Sequence, residues 1–185
     1  CRTRTKAVPG EGAGRPLVMV IGEGPGADED ATGRPFVGRA GQLLDRMLAS
    51  VGLFRDKNCF IANVVKCRPP GNRNPFPEEM LACAPFLSRQ IGALRPALIF
   101  CVGKVAANRL LNNYEIEPMG KLRSRFFSYG DIPLIATYHP SAVLRDSSLR
   151  KPVWDDLKLL SARLAELVPD YRPPEPQKTP SGGGA

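Results

Sequence analysis

The chain has 185 residues, 43% of them hydrophobic, and 26 Lys and Arg against 18 Asp and Glu give a formal net charge of +8. That suffices for one domain with a substantial core, and no apolar run is long enough to cross a bilayer as a helix, so a membrane partner is not expected. Five cysteines are an odd number for a disulfide framework and point to a reducing, cytoplasmic setting and metal ligation. The basic excess suits a polyanionic partner, because neutralised phosphates supply most non-specific affinity for nucleic acid.

The chain starts at Cys1 rather than Met and shows no signal peptide, which reads as an N-terminal truncation. Residues 1–16 form a basic, then glycine-rich, irregular lead-in. Leu17–Gly22 is the first buried strand. It runs into Gly22-Glu23-Gly24-Pro25-Gly26-Ala27-Asp28-Glu29-Asp30, a glycine-rich turn crowded with acid. Glycine leaves room for a ligand to come close, and ligands of open α/β sheets bind at the carboxyl ends of strands. The turn lacks the Gly-Lys-Ser/Thr ending of a P-loop, and its acids would repel a pyrophosphate. The plain alternative is a polar β-to-α turn. Residues 22–39 are expected to be one long loop. Within it Phe36 sits between glycines and proline, held rigidly but poorly placed for the core, where binding residues concentrate.

Ala40–Val51 has helical periodicity, with Leu43, Leu44, Met47, Leu48 and Val51 on one face. Asn58–Val65 is the second strand, with Asn63 near its carboxyl end. A rigid basic loop, Lys66–Pro75, follows. Pro77-Glu78-Glu79 opens a helix, proline and acids both favouring its first turn, that runs to about Leu94 and carries Cys83. Ala97–Gly103 is the third strand and Lys104–Leu111 a short helix. Residues 112–131 read as irregular and basic with a short hairpin element. Ile132–Tyr138 is the fourth strand and ends in His139-Pro140-Ser141-Ala142-Val143-Leu144-Arg145. Lys151–Val168 closes the domain as an amphipathic helix with Trp154, Leu157, Leu160 and Leu164 inward. Residues 169–185, rich in Pro and Gly, read as a disordered tail after a single domain over 1–168. Cys59 and Cys101 fall in apolar strands, whereas Cys1, Cys67 and Cys83 fall in more polar surroundings.

Alternation of strand and helix argues for an α/β fold: a three-layer α/β/α sandwich around a four-stranded, mainly parallel sheet. Strand ends one, two and four then deliver Glu23, Asn63 and His139 to one edge. Three convergent polar side chains say more than any one of them.

The Gly22–Asp30 turn, the Gly33–Gly38 loop, Asn63 with Lys66–Pro70, and His139–Arg145 together resemble the uracil-DNA glycosylase superfamily, and most closely its family-four, iron–sulfur-containing branch. There the first motif looks like Gly-Glu-x-Pro-Gly followed by Glu-Asp, and the second like His-Pro-Ser-Ala-x-Leu-Arg. The likeness spans roughly residues 4–168, and four motifs in matching order make it specific. It implies a monomeric repair enzyme that flips uracil out of single- or double-stranded DNA and hydrolyses its N-glycosidic bond, leaving an abasic site without a lyase step.

The resemblance also implies roles. Phe36 stacks on the flipped base, beside Gly22 and Gly24. The Asn63 amide offers a donor and an acceptor that match uracil N3–H and O4 and leave cytosine unpaired. His139, the only histidine, donates to O2 as negative charge builds there. Glu23 orients water or offsets oxocarbenium charge; Glu29 and Asp30 stay open for the same work, or for capping and loop support. Ser141, Leu144, Arg145 and Arg68 meet DNA, Leu144 either as a wedge in the vacated stack or packed under the closing helix. Arg73, Lys121 and Arg123 are further candidate phosphate contacts. Cys67 and Cys83 fall where the branch places two of the four thiolates of a [4Fe–4S] cluster. The Cys-x-x-Cys pair supplying the others is missing and Cys1 reads as an extra cysteine, so the cluster is expected to be incomplete or absent. The alternative is a non-catalytic or covalently trapping uracil-DNA or nucleotide-binding module on the same fold. The lack of a second histidine weighs against covalent trapping.

Overall fold

The structure is a computed structural model that describes residues 3–113 and 116–174; Cys1 and most of the expected tail lie outside the described residues. Thirteen helices and strands follow in order: β1 (Glu11–Gly12), β2 (Val18–Gly22), α1 (Ala27–Thr32), α2 (Arg39–Ala49), β3 (Cys59–Asn63), α3 (Pro77–Leu94), β4 (Leu98–Val102), α4 (Lys104–Leu110), α5 (Met119–Leu122), β5 (Phe126–Tyr129), β6 (Ile132–Thr137), α6 (Pro140–Arg145) and α7 (Arg150–Leu167).

The sheet has six strands in the order β1-β3-β2-β4-β6-β5. The four expected strands form its parallel centre. Two short antiparallel strands, β1 against β3 and β5 against β6, extend it at either edge. The count of four is corrected to six: β1 has only two residues, too few for any periodicity to show. Of the hairpin element expected within 112–131, only the arm β5 lies there; its partner is β6, the expected fourth strand.

Side chains alternate across a strand, so each central strand feeds both faces. Val18, Val20, Phe100 and Ile135 pack with Leu44, Leu48, Leu157, Leu160 and Leu164 of α2 and α7. Met19, Ile21, Ile99, Cys101 and Leu134 pack on the other face with Leu87, Ile91, Ala106 and Leu110 of α3 and α4. These are the helix layers of a three-layer sandwich. Burial on both faces is why these strands read as unbroken apolar runs. Among the described residues no helix is long and apolar enough to cross a membrane.

Four expectations need correction. Residues 22–39 are not one loop, because α1 occupies Ala27–Thr32 with its acids in the first turn. His139 does not open a loop; it caps the short helix α6, whose first residue is Pro140. Trp154 is 44% exposed, because the buried stripe of α7 runs through Val153, Leu157, Leu160 and Leu164 and leaves position 154 at its margin. Cys67 and Cys83 keep polar neighbours such as Arg68 and Glu79 but are themselves buried, since α3 folds Cys83 back against the loop that carries Cys67, which the sequence did not lead one to expect.

Pairing register lines up the strand ends. Gly22 pairs with Asn63, and Val102 with Thr137, so all four central strands stop at one edge. The loops leaving that edge build the cavity described next.

Candidate active site

A cavity of about 650 Å³ opens at the carboxyl edge of the sheet. Glu23 and Gly24 reach it from the turn after β2, Asn63 from the end of β3, and His139, Ser141 and Arg145 from the start and last turn of α6. Phe36 forms a wall from the segment between α1 and α2. Sequence reasoning placed Glu23, Asn63 and His139 together, and the sheet register brings them there. Gly22, Leu144 and Arg68 do not line the cavity. Gly22 lies behind it, Leu144 is 43% exposed on α6 rather than packed under α7, and Arg68 borders a smaller cavity with the cysteines.

Asn63 is almost fully buried, and its Oδ1 has no hydrogen-bond partner among the described residues. A buried, unpaired amide oxygen costs about 1–3 kcal/mol. A ligand with a matching donor recovers that cost. Gly22 makes room for the amide: a Cβ there would stand 2.5 Å from Asn63 Oδ1 and 2.4 Å from Cζ of Phe36.

Phe36 is buried, so the expectation that it lies outside the core fails: its ring belongs to the core on one side and to the cavity on the other. Its backbone takes φ of 52°, the left-handed region, which an aromatic residue adopts only under constraint. The constraints are visible. Arg55 donates from Nη1 to the Pro35 carbonyl and from Nη2 to the Phe36 carbonyl, each at 2.8 Å. Arg55 is itself held by Glu11 at 2.6 Å and Asp45 at 2.9 Å. Glu29 accepts from the Val37 and Gly38 N–H groups at 2.8 and 3.0 Å. Helix α2 supplies Gly41, where a Cβ would fall 1.8 Å from the Phe36 carbonyl oxygen.

The His139 ring stands 5.6 Å from that of Phe36, centroid to centroid, tilted by 33°. Ser141 donates its backbone N–H to His139 Nδ1 at 3.1 Å, and its Oγ lies 2.8 Å from the same nitrogen. With Nδ1 accepting, the neutral ring carries its proton on Nε2. Burial, and then the nearby Arg145 cation, hold the pKa of His139 down at about 4. The histidine is therefore a neutral donor around neutral pH.

Of the three acids left open by the sequence, two are occupied. Glu29 holds the Phe36 segment and caps α1 through the Gly26 N–H at 3.0 Å. Asp30 accepts from the Thr5 N–H at 2.9 Å and the Lys6 N–H at 3.4 Å, fastening the N-terminal arm. Glu23 alone faces the cavity with its carboxylate uncommitted. Burial raises its pKa, and the Lys104 cation at the start of α4 partly opposes the rise.

Several functional neighbours had no sequence signal. Lys104 and Asn72 line the cavity; Asn72 Oδ1 accepts from Arg68 Nε at 2.7 Å. The fully buried Asp156 of α7 binds Arg123, Ser124 and, at 2.7 Å, Thr137 Oγ1 at the end of β6, just before His139. Arg123 is thus committed inside the protein. Arg73 is paired with Glu79 at 2.7 Å and stacked on Phe76, and Lys121 is paired with Glu117 at 3.0 Å. Exposed Arg145 has no ion pair among the described residues.

Cys67 and Cys83 line a cavity of about 220 Å³. Arg4 of the arm donates to Cys67 Sγ at 2.8 Å, and the Lys66 N–H meets Cys83 Sγ at 3.4 Å. Among the described residues no group of three or more metal-ligating side chains occurs. A four-thiolate cluster needs four such donors, so the described residues do not by themselves fit one.

A sequence model of the family described as the uracil DNA glycosylase superfamily matches residues 9–158. The chain is 43% identical over 169 residues to a Type-4 uracil-DNA glycosylase of Saccharolobus solfataricus, covering 88% of this chain and 78% of that protein. It is 43% identical over 163 residues to the Type-4 enzyme of Archaeoglobus fulgidus, covering 85% and 81%. A Type-5 uracil-DNA glycosylase of Thermus thermophilus is 30% identical over 153 residues, covering 74% of this chain and 69% of the relative.

Proposed function

This chain belongs to the uracil-DNA glycosylase superfamily, and on that premise we propose how its cavity reads and releases the base. The chain fits the Type-4 branch and is a DNA-repair enzyme that excises uracil. It is a glycosylase without a lyase step.

One observation carries the assignment of roles: the unpaired amide of Asn63 at the floor of a cavity walled by Phe36 and His139. A flipped uracil stacks on Phe36. Its N3–H donates to the Asn63 amide oxygen, and its O4 accepts from the amide NH₂. Cytosine carries no N3–H and presents a donor where O4 would be, so it would leave the buried amide unpaired. Such mismatches are refused by large factors. As the N-glycosidic bond breaks, its electron pair passes to the uracil ring and charge builds on O2. His139 Nε2–H donates there; a donor of this kind is worth about 10²–10³ in rate. Glu23 orients the attacking water. The water oxygen bonds to C1′ of the deoxyribose and Glu23 accepts its proton, leaving uracil and an abasic site. Arg145, Arg68 and Ser141 hold the DNA backbone, and exposed Leu144 enters the vacated stack. The substrate is single- or double-stranded DNA, and the chain acts as a monomer, a reading supported by a cavity built from one chain.

A second part concerns the cysteines. Cys67 and Cys83 would supply two of the four thiolates of a [4Fe–4S] cluster, a reading supported by their shared cavity beside the Lys66–Asn74 loop. The sequence offers no Cys-x-x-Cys pair for the other two, so the cluster is incomplete or absent in this chain. When bound, the group would steady that loop, and no step of the reaction passes through it.

The test is alkali cleavage after incubation with uracil-containing oligonucleotides, comparing the chain with Asn63→Asp. The expected result is release by the chain, and release that is lost or redirected to another base in the variant. An Asn63→Asp enzyme that still excises uracil at the original rate would remove Asn63 from the mechanism.

A further inference from the structure

Among the described residues Lys66 is the only buried lysine. Neither the proposed chemistry nor any DNA contact uses it. Its side chain folds back over the turn that ends β3, and Nζ donates to the backbone carbonyl of Asn63 at 2.9 Å and to Gln90 Oε1 at 2.7 Å. Gln90, on α3, donates in turn to the Pro9 carbonyl at 2.8 Å. The Lys66 carbonyl accepts from the Val8 N–H, also at 2.8 Å. One residue thus joins the end of β3, helix α3 and the N-terminal arm.

An ammonium is costly to bury unless its hydrogens are satisfied. Here its acceptors are neutral, and no carboxylate pairs with it. A methionine of similar length would fill the space without that cost. What the ammonium provides is a directed bond to one carbonyl, that of the residue whose amide faces the cavity. We infer that Lys66 is a positioning residue for base recognition. Its ammonium fixes the backbone of Asn63, and through Gln90 it ties that backbone to the N-terminal arm. This inference rests on Asn63 being the base reader. Geometry at such a point matters, since a misplacement of about 1 Å can cost about 10²-fold in rate.

The experiment is a double-mutant cycle on the full chain, Lys66→Met with Asn63→Ala, read by single-turnover uracil release and by affinity for uracil-containing DNA. In the parent, Lys66→Met should slow release by about 10- to 100-fold and change DNA affinity by less than about twofold. In the Asn63→Ala background the same substitution should slow the residual rate by less than about twofold, because the group through which it acts is gone. Equal losses in both backgrounds, or a loss confined to DNA affinity, overturn the inference while leaving Asn63 as the reader. An Asn63→Ala enzyme with the parent rate overturns both. If Lys66→Met does not fold, Gln90→Leu removes one of the two acceptors and should show a smaller loss, about threefold, with the same non-additivity; additive losses count against the inference.

Discussion

The backbone N–H of Ser141 donates to Nδ1 of His139 across 3.1 Å, and that bond leaves Nε2 as the nitrogen that carries a proton toward the cavity. A helix-capping contact therefore fixes the tautomer of the residue proposed to meet the substrate oxygen.

The ring stays neutral through the physiological range. Its pKa is about 4 in the folded protein against an ordinary value of 6.5. The unfolded chain takes up a proton near pH 6.5 that the native protein refuses until about pH 4. Stability should therefore fall as pH drops through that window and be unaffected by this group above it, by about 3 kcal/mol in all. Urea titrations at stepped pH, compared with His139→Gln, measure this; the difference between the two should flatten above pH 6.5. The same variant should lose about 10²–10³ in single-turnover rate.

Gly22→Ala places a methyl against both Phe36 and Asn63, at 2.4 and 2.5 Å. Either neighbour can give way only by shifting toward the cavity that both line. Overpacking of this kind costs about 1–3 kcal/mol, and displacement of base wall and base reader together should lower uracil release by about 10²-fold. Thermal melting with single-turnover assays will separate the two, and a folded variant with the parent rate would remove the role given to this contact.

Glu23 works as an anion, so release should fall on the acid side of a pKa raised above the ordinary carboxylate range by burial. Lys104 holds that pKa partly down, so Lys104→Met should move the acid limb to higher pH. Glu23→Gln should abolish the limb and lower the plateau. A limb that stays in place in Lys104→Met would mean that another group sets it.

Arg55→Met strips the clamp from the Phe36 segment and leaves Glu11 and Asp45 without their shared cation, whose side chain is 16% exposed. Glu11 keeps Arg34 and Asp45 is half exposed, so stability should drop by about 1–2 kcal/mol, mostly from the lost bonds to the Pro35 and Phe36 carbonyls, measured by urea unfolding. Because the strained φ of Phe36 then relaxes, KM for uracil-containing DNA should rise as well.

Arg145 has an unpaired cation at the cavity mouth. Arg145→Ala should weaken uracil-free and uracil-containing DNA alike and reduce the slope of log affinity against log salt by about 1. Unchanged salt dependence would assign Arg145 to something other than a phosphate.

The parallel centre of the sheet was legible because strands buried on both faces cannot avoid continuous apolar runs, and Val18–Gly22 and Leu98–Val102 are such runs. The convergence of Glu23, Asn63 and His139 followed from the topology alone. What the sequence hid is short or distant. Helix α1 has six residues without an apolar stripe, and β1 has two. Arg55 sits in Phe54-Arg55-Asp56-Lys57, a stretch that reads as solvated charge, and only the third dimension brings Glu11 and Asp45 to it. Arg123 looked like a phosphate contact because nothing local reveals a carboxylate 33 residues away. Glu29 and Asp30 could not be separated from Glu23 by type, only by which backbone N–H groups each one meets.

The N-terminal arm has a temporal side. All of its anchors lie later in the chain: Asp30 for Thr5 and Lys6, Cys59 for Ala13, Lys66 for Val8, Cys67 for Arg4 and Gln90 for Pro9. During synthesis the arm leaves the ribosome before every one of these anchors and finds its last seat only after α3 has emerged. Until then the arm has its other anchors but not Gln90, and the β3 end that carries Asn63 lacks its full brace. A segment made before its anchors is thus among the last to be secured, and the end of β3 that carries Asn63 is braced only with it.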